Sequence, residues 1–315
     1  MKRFFLCAAL AASTCAFSTS SRAWDSGGHM IAARIALDRL SPQAKAKVEL
    51  LVPLVPDFRE ARGKQKPRPY DFVTLSAWMD DVRPSRKRDA YSTWHYVDVE
   101  CGHAPSEVKE QNALDALNLA GIVLRSDAQP RVKAEWLAIA IHLIGDLHQP
   151  LHAIGRDRGG NDFWIRGAPA VALSVTRGGK ALDKKKPQIG DNAGYFQKLH
   201  ALWDSGYRVD AVKNGARRAK VELYNIGYSE QPDMNHVQSA GAEIVSKYLP
   251  ERPNLTTDAN AWASESSQIA CDWAFNTPRG GLVSVDYIKR LHDTCCARLA
   301  LAGVRMASWV EENVR

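Results

Sequence analysis

Eleven residues near the middle of the chain, His142-Leu-Ile-Gly-Asp146-Leu-His148-Gln-Pro-Leu-His152, carry four groups able to bind a metal ion or move a proton. His142 and Asp146 stand four apart and share one helix face, the spacing at which paired side chains chelate zinc. His148, two residues beyond Asp146, points to roughly the opposite side at about 100° per residue. His152 lies past Pro150, where the turned chain can return a ligand to the same cavity. A buried helix with incidental histidines is the plainer alternative, but every buried imidazole and carboxylate would then need a partner of its own. The device recurs at Leu199-His200-Ala-Leu-Trp-Asp204, and two such pairs in one chain argue for metal binding more strongly than either alone.

The elements that must position these groups read as helices. Val132 to Ile141 is a largely buried helix, and Pro150 is expected to end it within about a residue. Asp25-Ser-Gly-Gly-His29 is expected to turn tightly before an apolar helix, and Ser41-Pro42 starts a second helix as N-cap and first-turn proline. Leu75 to Arg83 has helical apolar spacing with Asp80 and Asp81 toward its end, where acids oppose the macrodipole and call for a cation, a metal or Arg83. Trp94-His95-Tyr96-Val-Asp98 is a short aromatic segment with a further histidine. Residues 105 to 126 read as one long amphipathic helix capped by Ser106, and Asp258 to Phe275 and Ser284 to Val314 as two more. Strand signals are few: a short run after Asn161 and a hairpin-like piece from Val171 to Gly179, followed by the solvated Lys184 to Lys186. There is no internal repeat, low-complexity linker or composition break to mark a domain boundary.

The 315 residues are 45% hydrophobic, ample for a substantial core. Residues 1 to 23 read as a secretory signal peptide: Lys2 and Arg3, an apolar run from Phe4 to Phe17, then Ser21-Arg22-Ala23 as a cleavage site. Nothing later reaches the roughly 18 consecutive apolar residues of a membrane span, so an exported, secreted or periplasmic protein is expected. Cleavage removes three basic residues and no acid, so the formal charge of +7 becomes +4. That mild basic bias is compatible with a polyanionic substrate without demonstrating one. It also leaves Cys101, Cys271, Cys295 and Cys296, which are expected to form two disulfides, with Cys295 and Cys296 pairing to different partners. Cleavage after Ala23 would free the amine of Trp24, which with its own carbonyl can form a five-membered metal chelate.

His29, His95, His142, His152 and His200, with Asp80, Asp146, Asp204 and the amine of Trp24, form a nitrogen and carboxylate donor set that suits zinc in an open hydrolytic site and is too large for one ion. In ordered motifs, Trp24-x4-His29, Trp78-x-Asp80-x2-Arg83, Trp94-His95-Tyr96, His142-x3-Asp146-x-His-Gln-Pro-Leu-His152, Gly159-Gly-Asn161 and Leu199-His200-x2-Trp-Asp204, the chain resembles the single-strand-specific nucleases and 3′-nucleotidases typified by fungal nucleases S-one and P-one. Zinc phospholipases C are their distant relatives. The resemblance implies a mainly α-helical, single-domain fold over residues 24 to 315, with a small β-hairpin region and three zinc ions per chain. By analogy Asp80, His95, His142 and Asp146 hold the first ion. His152, His200 and Asp204 hold the second, and Trp24, His29 and bridging Asp146 the third. Arg83 is implied to contact phosphate, Asp98 to orient the attacking water or Arg83, and Tyr96 to stack on a base. Asn161 belongs to the implied substrate side, and His148 is either behind the ligands or substrate-facing. The substrates implied are single-stranded DNA and RNA and 3′-mononucleotides.

Departures from the pattern are extra residues between Gly160 and His200 and Lys198 where Asn is expected before Leu-His, both at the cleft rim that would set substrate preference. Two readings compete. A zinc phospholipase C is resisted by Trp24-x4-His29 and by Asp rather than Glu at 204. A non-catalytic zinc-binding exported protein would show closed, tetrahedral sites.

Overall fold

The computed structural model describes residues 24–56, 69–82, 91–166, 196–206 and 233–315. The architecture is mainly α-helical. Helix α1 (Ser26–Arg39) starts at Asp25, whose carboxylate accepts from Gly28 N at 3.1 Å. Gly27 and Gly28 therefore lie inside its first turn, where the sequence suggested a separate tight turn before the helix. Helix α2 (Pro42–Leu51) has the expected Ser41 cap and leading proline. The expected helix from Leu75 to Arg83 is split into two short pieces, α3 (Phe72–Leu75), closed by a reciprocal Asp71/Thr74 cap, and α4 (Trp78–Val82).

The single helix read from 105 to 126 is shorter than expected. α5 runs over Ala113–Arg125 with Asn112 as its cap, while Pro105–Glu107 forms only a 3-10 turn. The Asn112 side chain accepts from Leu114 N while Asn112 N donates to Asp115, a reciprocal cap that starts the helix here. Helix α6 (Pro130–Leu147) carries the central motif and ends three residues before Pro150, which opens the 3-10 turn Pro150–Ala153.

α7 (Asp157–Gly160) is a single turn in which Asp157, Arg158, Gly159 and Gly160 all have positive φ. It leads to β1 (Trp164–Arg166), which pairs antiparallel with β2 (Phe196–Lys198), Trp164 opposite Lys198. Residues 196 to 198 are thus strand, and α8 is confined to Leu199–Asp204. The hairpin-like piece at 171–179, the lysine run at 184–186 and Arg83 lie outside the described residues. Helices α9 (Met234–Tyr248), α10 (Ala259–Ile269, continued by a π turn to Ala274) and α11 (Val285–Asn313) complete the chain.

One core joins these elements. α1 packs lengthwise on α11 and α9, and α5 lies along α6. Ile31, Ile35, Leu137, Ile141, Ile244, Leu291 and Val310 are buried in it. A disulfide joins Cys101, in the loop before α5, to Cys271 at the end of α10. The second expected disulfide does not form. Cys295 and Cys296 are adjacent on α11 and project about 100° apart. Cys295 donates to Trp203 O, Cys296 faces His292, and both remain buried thiols. No helix among the described residues is long and apolar enough to cross a membrane.

Candidate metal centre

The i,i+4 pair on α6 meets a histidine from the aromatic segment. His142 Nε2 and Asp146 Oδ2 are 3.3 Å apart, His95 Nδ1 and the same oxygen 3.1 Å, and the two ring nitrogens 3.1 Å. Donors bound to one tetrahedral zinc stand about 3.3 to 3.6 Å apart, so this triangle has nearly the size of one face of such a site. Asp80, from α4, joins His95 and His142 in a group whose ligand atoms all lie within 4.8 Å. The other oxygen of Asp146 turns to α1, with Oδ1 3.2 Å from His29 Nε2. The His29 ring stacks on that of His142, centroids 3.9 Å apart. One carboxylate therefore presents one oxygen to His29 and the other to His95 and His142, and His142 belongs to both groups of candidate ligands.

The third group is built by the 3-10 turn and α8. His152 Nε2 and His200 Nε2 are 3.0 Å apart, and Asp204 Oδ1 lies 3.9 and 3.4 Å from them. Residues 95–99 bring the groups together by running beside 152–155. Val97 N donates to His152 O, Gly155 N to Val99 O, and His152 Nδ1 to His95 O.

Backbone carbonyls set three of the tautomers. Nδ1 of His142 donates to Ser76 O, that of His152 to His95 O and that of His200 to Gly159 O, leaving each Nε2 lone pair directed at its cluster. The left-handed turn of α7 is what brings Gly159 O to His200. A Cβ on Gly159 would fall 2.4 Å from Leu151 O, so glycine is required there.

Charge balance is poor among the protein groups alone. Burial pushes Asp204 well above the ordinary carboxylate range, and Asp25, Asp80 and Asp146 add to it against one hydrogen bond from Gln149. Burial would also raise Asp146, but His142, His29 and His95 hold it well below the usual range. Burial and then His142 lower His29. Asp146 Oδ1 and both ring nitrogens of His29 are buried with no well-formed hydrogen bond among the described residues, and such orphaned groups in a native interior need an explanation. Bound cations would supply it, and a donor set of imidazoles and carboxylates without thiolate fits zinc.

Trp24 is fully buried. Its indole Nε1 donates to Gly145 O at 2.9 Å, and the next amide, Asp25 N, donates to Asp204 O at 3.2 Å. The start of the described chain is thus tied to the elements carrying Asp146 and Asp204. Tyr96, next to His95 in the chain, is 36% exposed. Asp98 reaches the surface, yet partial burial and then Glu110 push its carboxyl up against the pull of Arg158. Asn161 is buried, its amide donating to Arg158 O and packing 3.2 Å from His200 Nδ1, whose own proton goes to Gly159 O. His148 does not face a cleft: it is fully buried, with Nδ1 donating to Ile144 O and Nε2 3.1 Å from Arg305. Its helix phase turns it to the interior, so it is not placed on the substrate side that the sequence had left open for it. Sequence reasoning passed over Gln149, whose amide donates to Asp204 Oδ1 at 2.6 Å, and Arg298 and Arg305. The available signal for the arginines was their seven-residue spacing within the apolar stripe of α11.

A family model of S1/P1 nucleases matches residues 24–315. The chain belongs to the S1/P1 nuclease family. Endonuclease 1 of Arabidopsis thaliana is 24% identical over 305 residues, covering 92% of this chain and 86% of the relative. Nuclease P1 of Penicillium citrinum is 22% identical over 304 residues, covering 92% and 97%. Nuclease S1 of Aspergillus oryzae is 20% identical over 267 residues, covering 76% and 78%. Family membership supports a nuclease with nucleic acid as its substrate class, and the three His/Asp groups supply candidate metal sites for it.

Proposed function

We propose that this chain is an exported, zinc-dependent phosphodiesterase that hydrolyses single-stranded DNA and RNA to 5′-phosphorylated products and also cleaves 3′-mononucleotides. The observation that carries this reading is the division of Asp146, Oδ1 toward His29 and Oδ2 toward His95 and His142. In the reading, Asp80, His95, His142 and Asp146 hold one zinc. His152, His200 and Asp204 hold a second, and Asp146, His29 and the freed amine and carbonyl of Trp24 a third. Bound zinc would supply hydroxide at neutral pH and charge stabilisation for the leaving oxygen.

The chain's own groups do the rest. His142, His152 and His200 are pre-oriented by their Nδ1 hydrogen bonds. Asp98 orients the attacking water or Arg83, and Arg83 contacts the phosphate. Tyr96 offers a partly exposed ring on which an unpaired base stacks, with a gain of about 1 to 3 kcal/mol and no sequence preference. A duplex hides its base faces, so single strands are preferred. Residues 1–23 act as the signal peptide and 24–315 as the catalytic domain; that the family match begins at Trp24 supports this division. Hydrolysis of single-stranded DNA, 3′-AMP and phosphatidylcholine, assayed side by side with and without chelator, tests the reading. Chelator-sensitive cleavage of the first two alone is expected. Cleavage of the lipid alone, or activity indifferent to chelator, would overturn it.

A further inference from the structure

Asp146 lies in the last turn of α6, where the final carbonyls of a helix lack intrahelical partners. The side chain of the cap residue itself and side chains from three other places satisfy them here. His148 Nδ1 donates to Ile144 O at 2.7 Å, Trp24 Nε1 to Gly145 O, Ser266 Oγ to Leu147 O at 2.6 Å, and Arg298 Nε to His148 O at 3.1 Å. With its proton on Nδ1, His148 offers Nε2 as an acceptor, and NH1 of Arg305 stands 3.1 Å from it.

Behind this contact lies a charged network. Arg305 donates through NH1 and NH2 to the two oxygens of Glu265, at 2.7 and 2.8 Å, and Arg298 donates to Glu265 Oε2 at 2.6 Å. The side chains of Arg298 and Arg305 are only 5% and 1% exposed. Two buried guanidiniums on one carboxylate leave a net positive charge, a costly arrangement unless it serves something nearby. It faces the negative end of the α6 dipole and, through His148, the turn that carries Asp146. Helix capping alone would not call for two buried guanidiniums, whereas fixing a carboxylate that must present each oxygen in a different direction calls for a rigid support.

We propose that His148, held by Arg305 and Glu265, is a positioning residue that fixes the orientation of Asp146 between its two cation groups; this rests on the metal reading of the site. Outer partners bonded directly to a ligand are worth about 10- to 100-fold in metal affinity; His148 acts through the backbone of its turn, so the loss should not exceed that range, and it should fall more heavily on the two Asp146 groups than on the His152, His200 and Asp204 group, which the neighbouring Gln149 reaches through Asp204.

The test compares His148→Leu with His148→Gln, whose side-chain carbonyl can still accept from Arg305. Zinc retained against a graded chelator series is measured by elemental analysis, beside thermal unfolding of the metal-free proteins. His148→Leu is expected to lose two zinc ions at a chelator strength lower by at most about 10- to 100-fold while keeping the third longer, and His148→Gln to stay near wild type. The retained ion should disappear when His200→Ala is added. If His148→Leu does not fold, Arg305→Gln takes its place with the same expectation. Equal weakening of all three ions, or a lower melting temperature with zinc affinity unchanged, would overturn the positioning role alone. Wild-type protein that binds no zinc would overturn the metal reading and this proposal with it.

Discussion

Asp146→Asn keeps the shape of the side chain, removes its charge and leaves one oxygen where two are used. His29, His95 and His142 all lie within 3.3 Å of that carboxylate, and all four residues are buried. On the proposed assignment two of the three ions therefore lose a ligand together, while Asp204, the carboxylate assigned to the other, is untouched. At free zinc a hundredfold above each dissociation constant, each site adds about 2.7 kcal/mol to the folded state. Three sites give about 8 kcal/mol and one gives about 3, so zinc-induced stabilisation should shrink to roughly a third. At roughly 2 to 4 °C per kcal/mol for a chain of this class, the zinc-dependent rise in melting temperature should fall by roughly 10 to 20 °C. The assay is thermal unfolding of wild type and variant, each with and without zinc, beside elemental analysis. Comparing the zinc-induced increments cancels the cost of the substitution to the metal-free fold. A variant that keeps three zinc ions, or loses only one, would refute the shared-carboxylate reasoning.

Residues added before Trp24 in a form that cannot be cleaved should remove the ion assigned to the terminal amine and most of the activity; full activity with three zinc ions would refute that chelate. Tyr96→Ala should cost about 1 to 3 kcal/mol in transition-state binding of single-stranded DNA, roughly 5- to 150-fold in kcat/KM, and leave a base-free phosphodiester almost unchanged. Equal slowing of both substrates would count against stacking. Replacing Cys101 and Cys271 by Ser should lower stability by at most about 5 kcal/mol for a loop of 170 residues. Alkylation of unfolded, unreduced mature protein should label only Cys295 and Cys296. Glu265 is about half withdrawn from water, which alone would raise its carboxyl, but Arg305 and Arg298 hold it at about 2. Its contribution to stability is therefore present above the ordinary Glu range and lost as pH falls toward about 2. The stability gap between wild type and Glu265→Gln, measured by denaturant unfolding, should narrow on acidification. A gap that is constant or widens would contradict that pairing.

Much of the candidate site was legible in the chain because its candidate ligands are tied to local periodicity. His142 with Asp146 and His200 with Asp204 declare themselves as i,i+4 pairs, and their helices did form around them. The Ser41-Pro42 start and the Asp258 and Ser284 caps were equally local and stand where the residues put them. Boundaries failed where two local solutions competed. Asn112 took the cap that Ser106 could have held, and the tract from Leu75 to Arg83 is interrupted at Ser76, whose hydroxyl donates back to Val73 O and whose carbonyl accepts from His142.

Only the tertiary structure decided what lies across long separations. That Asp146 gives one oxygen to α1 and the other to His95, that Gly159 and Ser76 carbonyls fix imidazole tautomers, and that Cys101 meets Cys271 while Cys295 and Cys296 stay thiols are all contacts between distant segments. No pattern along the chain encodes them, because periodicity reports which face a side chain occupies and not which element will cover that face. His148 shows the division most clearly. Its spacing turned it away from Asp146, and only the packing of α10 and α11 against the end of α6 put Arg305 on its other nitrogen.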